Sequence, residues 1–347
     1  MGAANGRGAA GVTVLDVAVG PGTYGLGGRD LLMDVSIYGE SPSAVVITNT
    51  IRGLRSGRVL YGVAVAQTGG KGIEIKGPVS PVIANCVVRD LTDSDGIAID
   101  LASFGQAEEA RPLISHCRIQ RLRSGYTTHG IRLKGYRGNL KPTIRNCLLH
   151  SISNSSGAGA TVAAIYSEGA ATTIQSSTVY GHTQNGMYFA SSPSYVTSRV
   201  ENCVMAGSTN DLRVVNSTSL DQTIVSRSDF VLATATGSGY RQENCLRVDP
   251  VMVNPAGLDF RLATNSPCIG TGSNQAWMAT GLDLDALARI VNGTVDMGAD
   301  ELQSPTLLVT PTRLDDGATT GSTTFSVTNS GGAARGDAVL VSTACLA

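Results

Sequence analysis

Short runs in which apolar and polar residues alternate recur along most of the chain, and no helix-length apolar pattern separates them. The clearest run has the form Gly-apolar-x-apolar and repeats at intervals of 22 to 34 residues. Its copies begin at Gly72, Gly96, Gly130, Ala164, Gly186 and Asp211. A period of two with one apolar side predicts a β-strand that is buried on that side.

A second element alternates in phase with the first and has the form apolar-x-Asn-Cys-apolar. Its central pairs are Asn85-Cys86, His116-Cys117, Asn146-Cys147, Ser176-Ser177 and Asn202-Cys203. Parallel strands need a crossover of about a dozen or more residues, and here the crossover itself consists of strands. The sequence therefore predicts a solenoid in which coils of 22 to 34 residues each carry two or three strands around an apolar interior.

The recurring Asn-Cys pair is predicted to lie at one corner of every coil. In register, the Asn side chains form a ladder in which each amide bonds the coils above and below, and His116 takes the same structural position. The chain has seven cysteines, an odd number, and none of them has the CxxC spacing of a zinc site. We expect the cysteines of this column to be free, buried thiols that act as small hydrophobes.

Two segments near the N-terminus add a resemblance to this pattern. Val17–Tyr24 ends in Gly-Pro-Gly-Thr-Tyr after an apolar run, and Val35–Pro42 reads as the next coil. With the coils, they resemble bacterial right-handed β-helix proteins of the pectate-lyase superfold. The resemblance implies an all-β fold class, a single-stranded right-handed parallel β-helix, as one domain over residues 1–302.

The stretch 246–302 is similar to the closing segment of secreted β-helix proteins that carry a choice-of-anchor module. The motifs that carry this similarity are Asp249–Pro255, Asp259–Leu262, Ser266–Ile269, Asp283–Asp285 and Val295–Glu301. We interpret its acidic residues as capping and turn residues. They are Asp283, Asp285, Asp296, Asp300 and Glu301.

Residues 303–347 change in character. Leu307–Pro311 and Ser322–Asn329 read as two strands around a turn rich in Gly and Asp. They resemble the first strands of a bacterial immunoglobulin-like module, although such a sandwich needs about 100 residues. We expect a linker followed by a truncated immunoglobulin-like β segment.

Composition narrows the function classes. The net charge is −1 and no run of like charges occurs, so we expect no nucleic-acid partner. No stretch of about 18 apolar residues predicts a transmembrane segment. Residues 1–10 lack a basic region followed by an apolar core, so we expect no signal peptide within this chain. The resemblance nevertheless implies a secreted or cell-surface protein.

The outward positions of the stacked Gly-apolar-x-apolar strands form a candidate sugar-binding strip. If Ile97, Ile131 and Ile165 point inward on consecutive coils, then Asp95 and His129 become neighbours. Tyrosine rings stack on pyranose faces, and charged groups pair with hydroxyls or uronate carboxylates. The predicted substrate-binding residues are Glu74, Lys76, Asp95, Asp100, Tyr166, Glu168 and Tyr188.

Three neighbouring side chains on this strip are candidate catalytic residues. In a lyase, Lys134 or His129 would remove the proton α to a uronate, and Arg132 would neutralise the carboxylate. A hydrolase would instead need two carboxylates, such as Asp95 and Asp100. Of these two reactions we favour the lyase, but the outward face of any solenoid must be polar, so a solvated face without chemistry is an equally open reading of the cluster.

No cofactor is expected. Asp93, Asp95 and Asp100 could supply hard oxygen ligands for Ca²⁺, but a solvated acidic turn explains them as well. No metal ligand is assigned.

Three function hypotheses follow. The first is an extracellular monomer that binds an acidic polysaccharide and, in one version, cleaves it by β-elimination. The second is a non-catalytic cell-surface or adhesion module. The third, a phage tailspike-like depolymerase, predicts a trimer.

Overall fold

The computed structural model describes most of the chain up to residue 303 and two short strands beyond it. The described ranges are 15–25, 35–66, 69–92, 95–103, 108–155, 161–190, 195–215, 221–303, 307–310 and 326–329. Asp93 lies outside them, as do residues 104–107 and 156–160 and most of the segment after residue 303. Among these residues, no helix is long and apolar enough to cross a membrane.

Three long parallel sheets wind around a common interior, and each coil contributes a strand to each sheet in turn. Within the described residues, sheet I consists of Leu15–Val19, Val35–Gly39, Val59–Tyr61, Val82–Ala84, Leu113–Ser115, Thr143–Arg145, Thr173–Gln175, Thr197–Glu201, Gln222–Ser226 and Tyr240–Glu243. Sheet II consists of Gly22–Tyr24, Val45–Ile47, Ala64–Ala66, Val87–Arg89, Arg118–Ser124, Leu148–Asn154, Thr178–Tyr180, Val204–Ala206 and Asp229–Phe230. Sheet III consists of Ile51–Arg52, Lys71–Lys76, Gly96–Ala102, Thr128–Lys134, Val162–Glu168, Asn185–Ala190, Asn210–Val215 and Ala233–Thr236.

The corner between sheets I and II is made by one residue in the left-handed backbone region. Asn85, His116, Asn146, Ser176 and Asn202 all have φ between 45° and 55°. Asn tolerates this conformation better than most residues because its short side chain can bond locally. The bend therefore favours Asn before Cys, and the pair lies at the corner of the coil, as the sequence predicted.

The predicted amide ladder is only partly formed. Asn146 Nδ2 lies 3.2 Å from His116 Nε2 on the neighbouring coil, but it also donates to the Leu282 carbonyl at 2.7 Å. Asn202 Nδ2 donates to the Ser273 carbonyl at 2.9 Å. The ladder residues thus bind the closing segment, which sequence periodicity could not show.

The interior is a single apolar cluster that runs through the stacked coils. Ile99, Ile131 and Ile165 lie in one column of it, and Cys86, Cys117 and Cys147 lie in another. The cysteines in the described part of the chain are all free thiols, as expected. Burial raises the pKa of the Cys117 thiol well above its usual value, which keeps it neutral.

The register of one strand differs from the predicted alignment. Ile99, and not Ile97, pairs with Ile73 and Ile131. Ile97 instead pairs with Lys71 and His129, and it is buried outside the core cluster. The predicted juxtaposition of Asp95 with His129 is therefore wrong by two residues.

Residues 246–303 run back along the outside of the coils. Besides the antiparallel strands Met252–Asn254 and Asp259–Leu262, this segment has 3-10 turns at Pro255–Gly257 and Ala276–Ala279. Further on, Leu307–Thr310 pairs with Ser326–Asn329, also antiparallel.

Apolar contacts fix the closing segment on the outward face of sheet II. Phe260, Leu284 and Ala299 pack on Leu148, while Leu262 and Met297 pack around Val204. Sheet II is thus covered along its middle coils.

Candidate functional site

The outward face of sheet III carries a column of polar and aromatic side chains that alternate with the core isoleucines and leucines. Backbone pairing places one member on each of the first seven strands of sheet III, with neighbouring strands about 4.8 Å apart. From the N-terminal coil onward, the column is Arg52, Glu74, Asp100, Arg132, Tyr166, Tyr188 and Arg213. We call this column, with the flanking Lys71, Lys76, His129, Lys134 and Glu168, the outward strip.

The strip carries an excess of positive charge. Six cationic side chains, those of Arg52, Lys71, Lys76, Arg132, Lys134 and Arg213, accompany three carboxylates, those of Glu74, Asp100 and Glu168. Asp95 lies at the edge as a fourth carboxylate, which leaves an excess of two positive charges. The whole chain has a net charge of −1, so the excess is local.

Asp100 is the most deeply paired acid of the strip. Its side chain is 2% exposed, and it accepts hydrogen bonds from Arg132 Nε at 2.8 Å and Arg132 Nη2 at 2.7 Å. Lys71 Nζ lies 2.6 Å from the same carboxylate. Burial alone would raise the pKa of Asp100, but the bonds from Arg132 and Lys71 outweigh it and hold the pKa below its usual value.

Glu74 occupies the next coil toward the N-terminus and binds three cations. Arg52 Nε lies 3.0 Å and Lys76 Nζ 3.1 Å from its carboxylate, and Lys71 forms a further ion pair with it. Burial opposes these contacts, yet together they lower the pKa of Glu74 to about 2. Both acids are therefore ionised and neutralised within the strip, so neither is free to act as an acid catalyst.

An aromatic stack follows on the C-terminal side. The His129 and Tyr166 rings lie parallel at 4.7 Å, Tyr188 meets Tyr166 edge-on at 5.2 Å, and the Arg213 guanidinium lies 4.6 Å from the Tyr188 ring centre. These contacts occupy part of the ring surface that the sequence assigned to sugar stacking. The half-buried tyrosines can still offer ring edges and hydroxyl groups.

His129 is unsuited to the role of general base. It is 3% exposed, and neither ring nitrogen has a hydrogen-bond partner. Burial, reinforced by the charge of Arg132, lowers the pKa of His129 to about 3. An imidazole of such low basicity removes a proton poorly at neutral pH.

Lys134 is the most accessible of the three candidate catalytic residues. Its side chain is 37% exposed, and its Nζ lies 3.3 Å from Glu168 Oε2. Glu168 also accepts a hydrogen bond from the Tyr166 hydroxyl at 2.9 Å, and burial together with this contact raises the pKa of Tyr166. The structure thus places Lys134, Arg132 and His129 together on the single strand Thr128–Lys134, as the spacing predicted.

Asp95 lies apart from the other predicted residues. It is exposed ahead of its strand and accepts a hydrogen bond from the Thr127 amide at 3.2 Å. No group of His, Cys, Asp or Glu side chains that could hold a metal ion occurs among the described residues. Asp93 lies outside the described residues, so this finding does not cover the Ca²⁺ ligand set that includes it.

Sequence reasoning left Arg52, Lys71 and Arg213 out of the site. Lys71 directly precedes the run that begins at Gly72, and Arg213 is the third residue of the run that begins at Asp211. The ion pairs of Lys71 with Glu74 and Asp100 show why Lys71 matters. Arg52 follows Ile51 in a strand of two residues, which is too short for a period-two signal.

The acids of the closing segment organise turns, as expected. Asp283 accepts hydrogen bonds from the amides of Asp285, Leu287 and Glu301, and Asp296 accepts from those of Gly270 and Leu302. Arg289, fully buried beside them, donates to the carbonyls of Asp296 and Gly298.

One of these acids gives a pH-dependence prediction. Asp300 Oδ1 is buried without a partner, and burial, with the nearby Asp285 and Asp283, raises the pKa of Asp300 to about 7. Its pKa in the unfolded chain is about 3.9, so the folded state holds the proton more tightly. This contribution to stability is complete below about pH 4 and is lost as the pH rises through about 7.

We expect Asp300→Asn to reduce the loss of stability that occurs as the pH rises through about 7. The melting temperature of the variant should fall less between pH 5 and pH 8 than that of the wild type, as measured by circular dichroism. Asp249→Asn, which changes an exposed carboxyl group, is the control and should follow the wild type. Parallel melting curves for Asp300→Asn and wild type would contradict the raised pKa.

Comparisons with known proteins agree with this architecture. Residues 34–205 match the family model described as right handed beta helix region. Six solved chains match, among them the crystal structure of pectate lyase Pel9A, with a TM-score of 0.55 and 14% sequence identity over 82% of this chain and 87% of that chain. A search of curated proteins found no match. The fold is therefore the right-handed parallel β-helix that the sequence predicted, and the low identity limits this likeness to the fold.

Proposed function

We propose that the protein binds an acidic polysaccharide outside the cell, with the polymer lying along the outward strip of sheet III. The observation that carries this proposal is the local excess of positive charge beside two tyrosines on a straight, repeating face. A polymer that bears carboxylates is attracted by the positive charge of the strip. The strands of sheet III repeat about every 4.8 Å, so a polymer lying across them meets the strip at regular intervals. The closing segment covers the outward face of sheet II along its middle coils, so sheet III is more accessible to a polymer than sheet II is.

Binding without cleavage fits the strip better than elimination. His129 is buried with a lowered pKa, Arg132 is held by Asp100, and Lys134 pairs with Glu168. The excess of cations over carboxylates supplies the field that attracts a polyanion, whereas these three candidate catalytic groups are buried or held in ion pairs. They are poorly placed to take a substrate proton.

The binding proposal is tested by calorimetry with polygalacturonate and with the same polymer fully methyl-esterified. We expect the acidic polymer to bind with an affinity that falls as salt increases, and the neutral ester to bind far more weakly. Arg213→Gln should weaken binding several-fold, whereas Arg199→Gln, which removes an exposed charge from sheet I, should not. Equal binding of the acid and the ester would refute the role of charge.

Elimination remains the second candidate because Lys134 is exposed beside Arg132. Cleavage would release unsaturated chain ends, which absorb in the ultraviolet, from polygalacturonate. We expect no such absorbance. A signal that the wild type gives and Lys134→Ala abolishes would establish a lyase and overturn the binding-only version.

A further inference from the structure

A cavity of about 400 Å³ opens at the N-terminal end of the outward strip. It lies where the turns that leave sheet III on two successive coils, residues 52–55 and 74–79, run side by side. Gly53 and Gly77 shape these turns with φ of 82° and 93°. A Cβ atom added at Gly77 would meet no neighbouring atom, so the space beside this turn is open.

The cavity wall is cationic. Among the described residues that line it, Arg52, Arg55 and Lys76 carry positive charge and Glu74 alone carries negative charge. Glu74 is already bound by Arg52, Lys76 and Lys71. Cationic side chains therefore outnumber carboxylates along this wall.

Two of the cations have binding capacity beyond Glu74. Arg52 bonds Glu74 through Nε, so its terminal nitrogens are not used in that ion pair, and 43% of its side chain is exposed. Lys76 contacts the same carboxylate with 71% of its side chain exposed. A guanidinium edge offers two parallel N–H donors at the spacing of two carboxylate oxygens.

We propose that this cavity is an anchoring subsite for the carboxylate of one uronate unit, held by Arg52 and Lys76. The inference rests on the proposed function, because Arg52, Glu74 and Lys76 belong to both the cavity and the strip. A polymer lying along sheet III reaches this cavity at the first coil of the strip. The subsite fixes which unit of the polymer lies at that end and thereby sets its register along the tyrosines.

The test compares Arg52→Gln and Lys76→Gln with Arg199→Gln in the full chain. Each variant loses one positive charge, and Glu74 keeps Lys71 in the first two, so the fold is retained. Calorimetry at constant ionic strength uses a galacturonate hexamer, its fully methyl-esterified form and a sulfated galactan oligomer. We expect Arg52→Gln and Lys76→Gln each to weaken the galacturonate hexamer roughly tenfold, with Arg199→Gln equal to wild type.

The outcomes separate the subsite from the function on which it rests. If wild type binds the hexamer and the cavity variants bind it as tightly as Arg199→Gln does, the subsite is wrong and the strip alone carries binding. If wild type fails to bind the hexamer, both proposals fall. Should only the sulfated oligomer depend on Arg52 and Lys76, the assignment to a carboxylate is overturned.

Discussion

Arg132→Met is expected to lower the free energy of unfolding by about 3 kcal/mol, at the lower end of the cost of breaking a buried ion pair. The variant removes both bonds from Arg132 to Asp100 and leaves that buried carboxylate with Lys71 as its remaining cation. Lys71 is shared with Glu74, so it compensates only in part. Urea unfolding followed by circular dichroism measures the change.

Lys134→Met is the matched control for this prediction. Lys134 lies two residues further along the same strand, but its ion pair is with Glu168 on the opposite neighbouring strand. That contact is partly exposed, and such pairs contribute about 0–1 kcal/mol. The double variant Arg132→Met, Asp100→Leu should recover much of the loss, because no unpaired charge stays buried. Equal destabilisation by Arg132→Met and Lys134→Met would show that the Asp100 pair is not the deep contact described above.

Ile131→Asp is expected to cost more than about 4 kcal/mol, because it places an unpaired charge in the interior of the solenoid. Ile131 is fully buried between Ile99 and Ile165 on the neighbouring coils. Each coil contacts mainly its neighbours, so the loss of one layer weakens the interfaces on both sides. Thermal unfolding of the purified variant gives the measurement.

Ile131→Val separates burial of charge from loss of volume. It removes one methylene group from the same position and should cost only about 1 kcal/mol. If Ile131→Asp melts within a few degrees of Ile131→Val, the side chain at this position does not face the core.

The coil pattern was readable from the sequence because strand alternation and the left-handed corner are local properties. Asn85, Asn146 and Asn202 indicate the left-handed corner between sheets I and II. The apolar positions that alternate around Arg132 indicate which face of the strand is buried. The same reasoning placed His129, Arg132 and Lys134 together, and the structure agrees.

The register of strand Gly96–Ala102 was not readable in this way. A slip of two residues leaves every side chain on the same face, so Gly96-Ile97-Ala98-Ile99 fits the pattern as well as the frame that the structure adopts. In the actual frame Asp100 lies between Glu74 and Arg132, where Lys71 and Arg132 neutralise it. Contacts between residues about 30 positions apart decide which of the two registers the strand adopts.

The position of the closing segment also escaped sequence analysis. Its acids were recognised as turn residues, and Asp283 and Asp296 indeed accept from amides of the same segment. The contacts that fix the segment on the coils join residues far apart in sequence, as when the Gly298 amide donates to the Asn202 carbonyl at 2.8 Å. Period-two patterns cannot show which outward face a later segment will cover. That information matters for function because it leaves sheet III available.

Protection of tyrosines from chemical nitration tests the location of the polymer most directly. Tyr188 and Tyr166 lie on the outward strip, whereas Tyr38 and Tyr61 are 36% and 41% exposed on sheet I and serve as internal controls. With saturating polygalacturonate, mass spectrometry should show reduced nitration of Tyr188 and Tyr166 and unchanged nitration of Tyr38 and Tyr61. Protection of Tyr38 and Tyr61 with Tyr188 still reactive would contradict binding along sheet III.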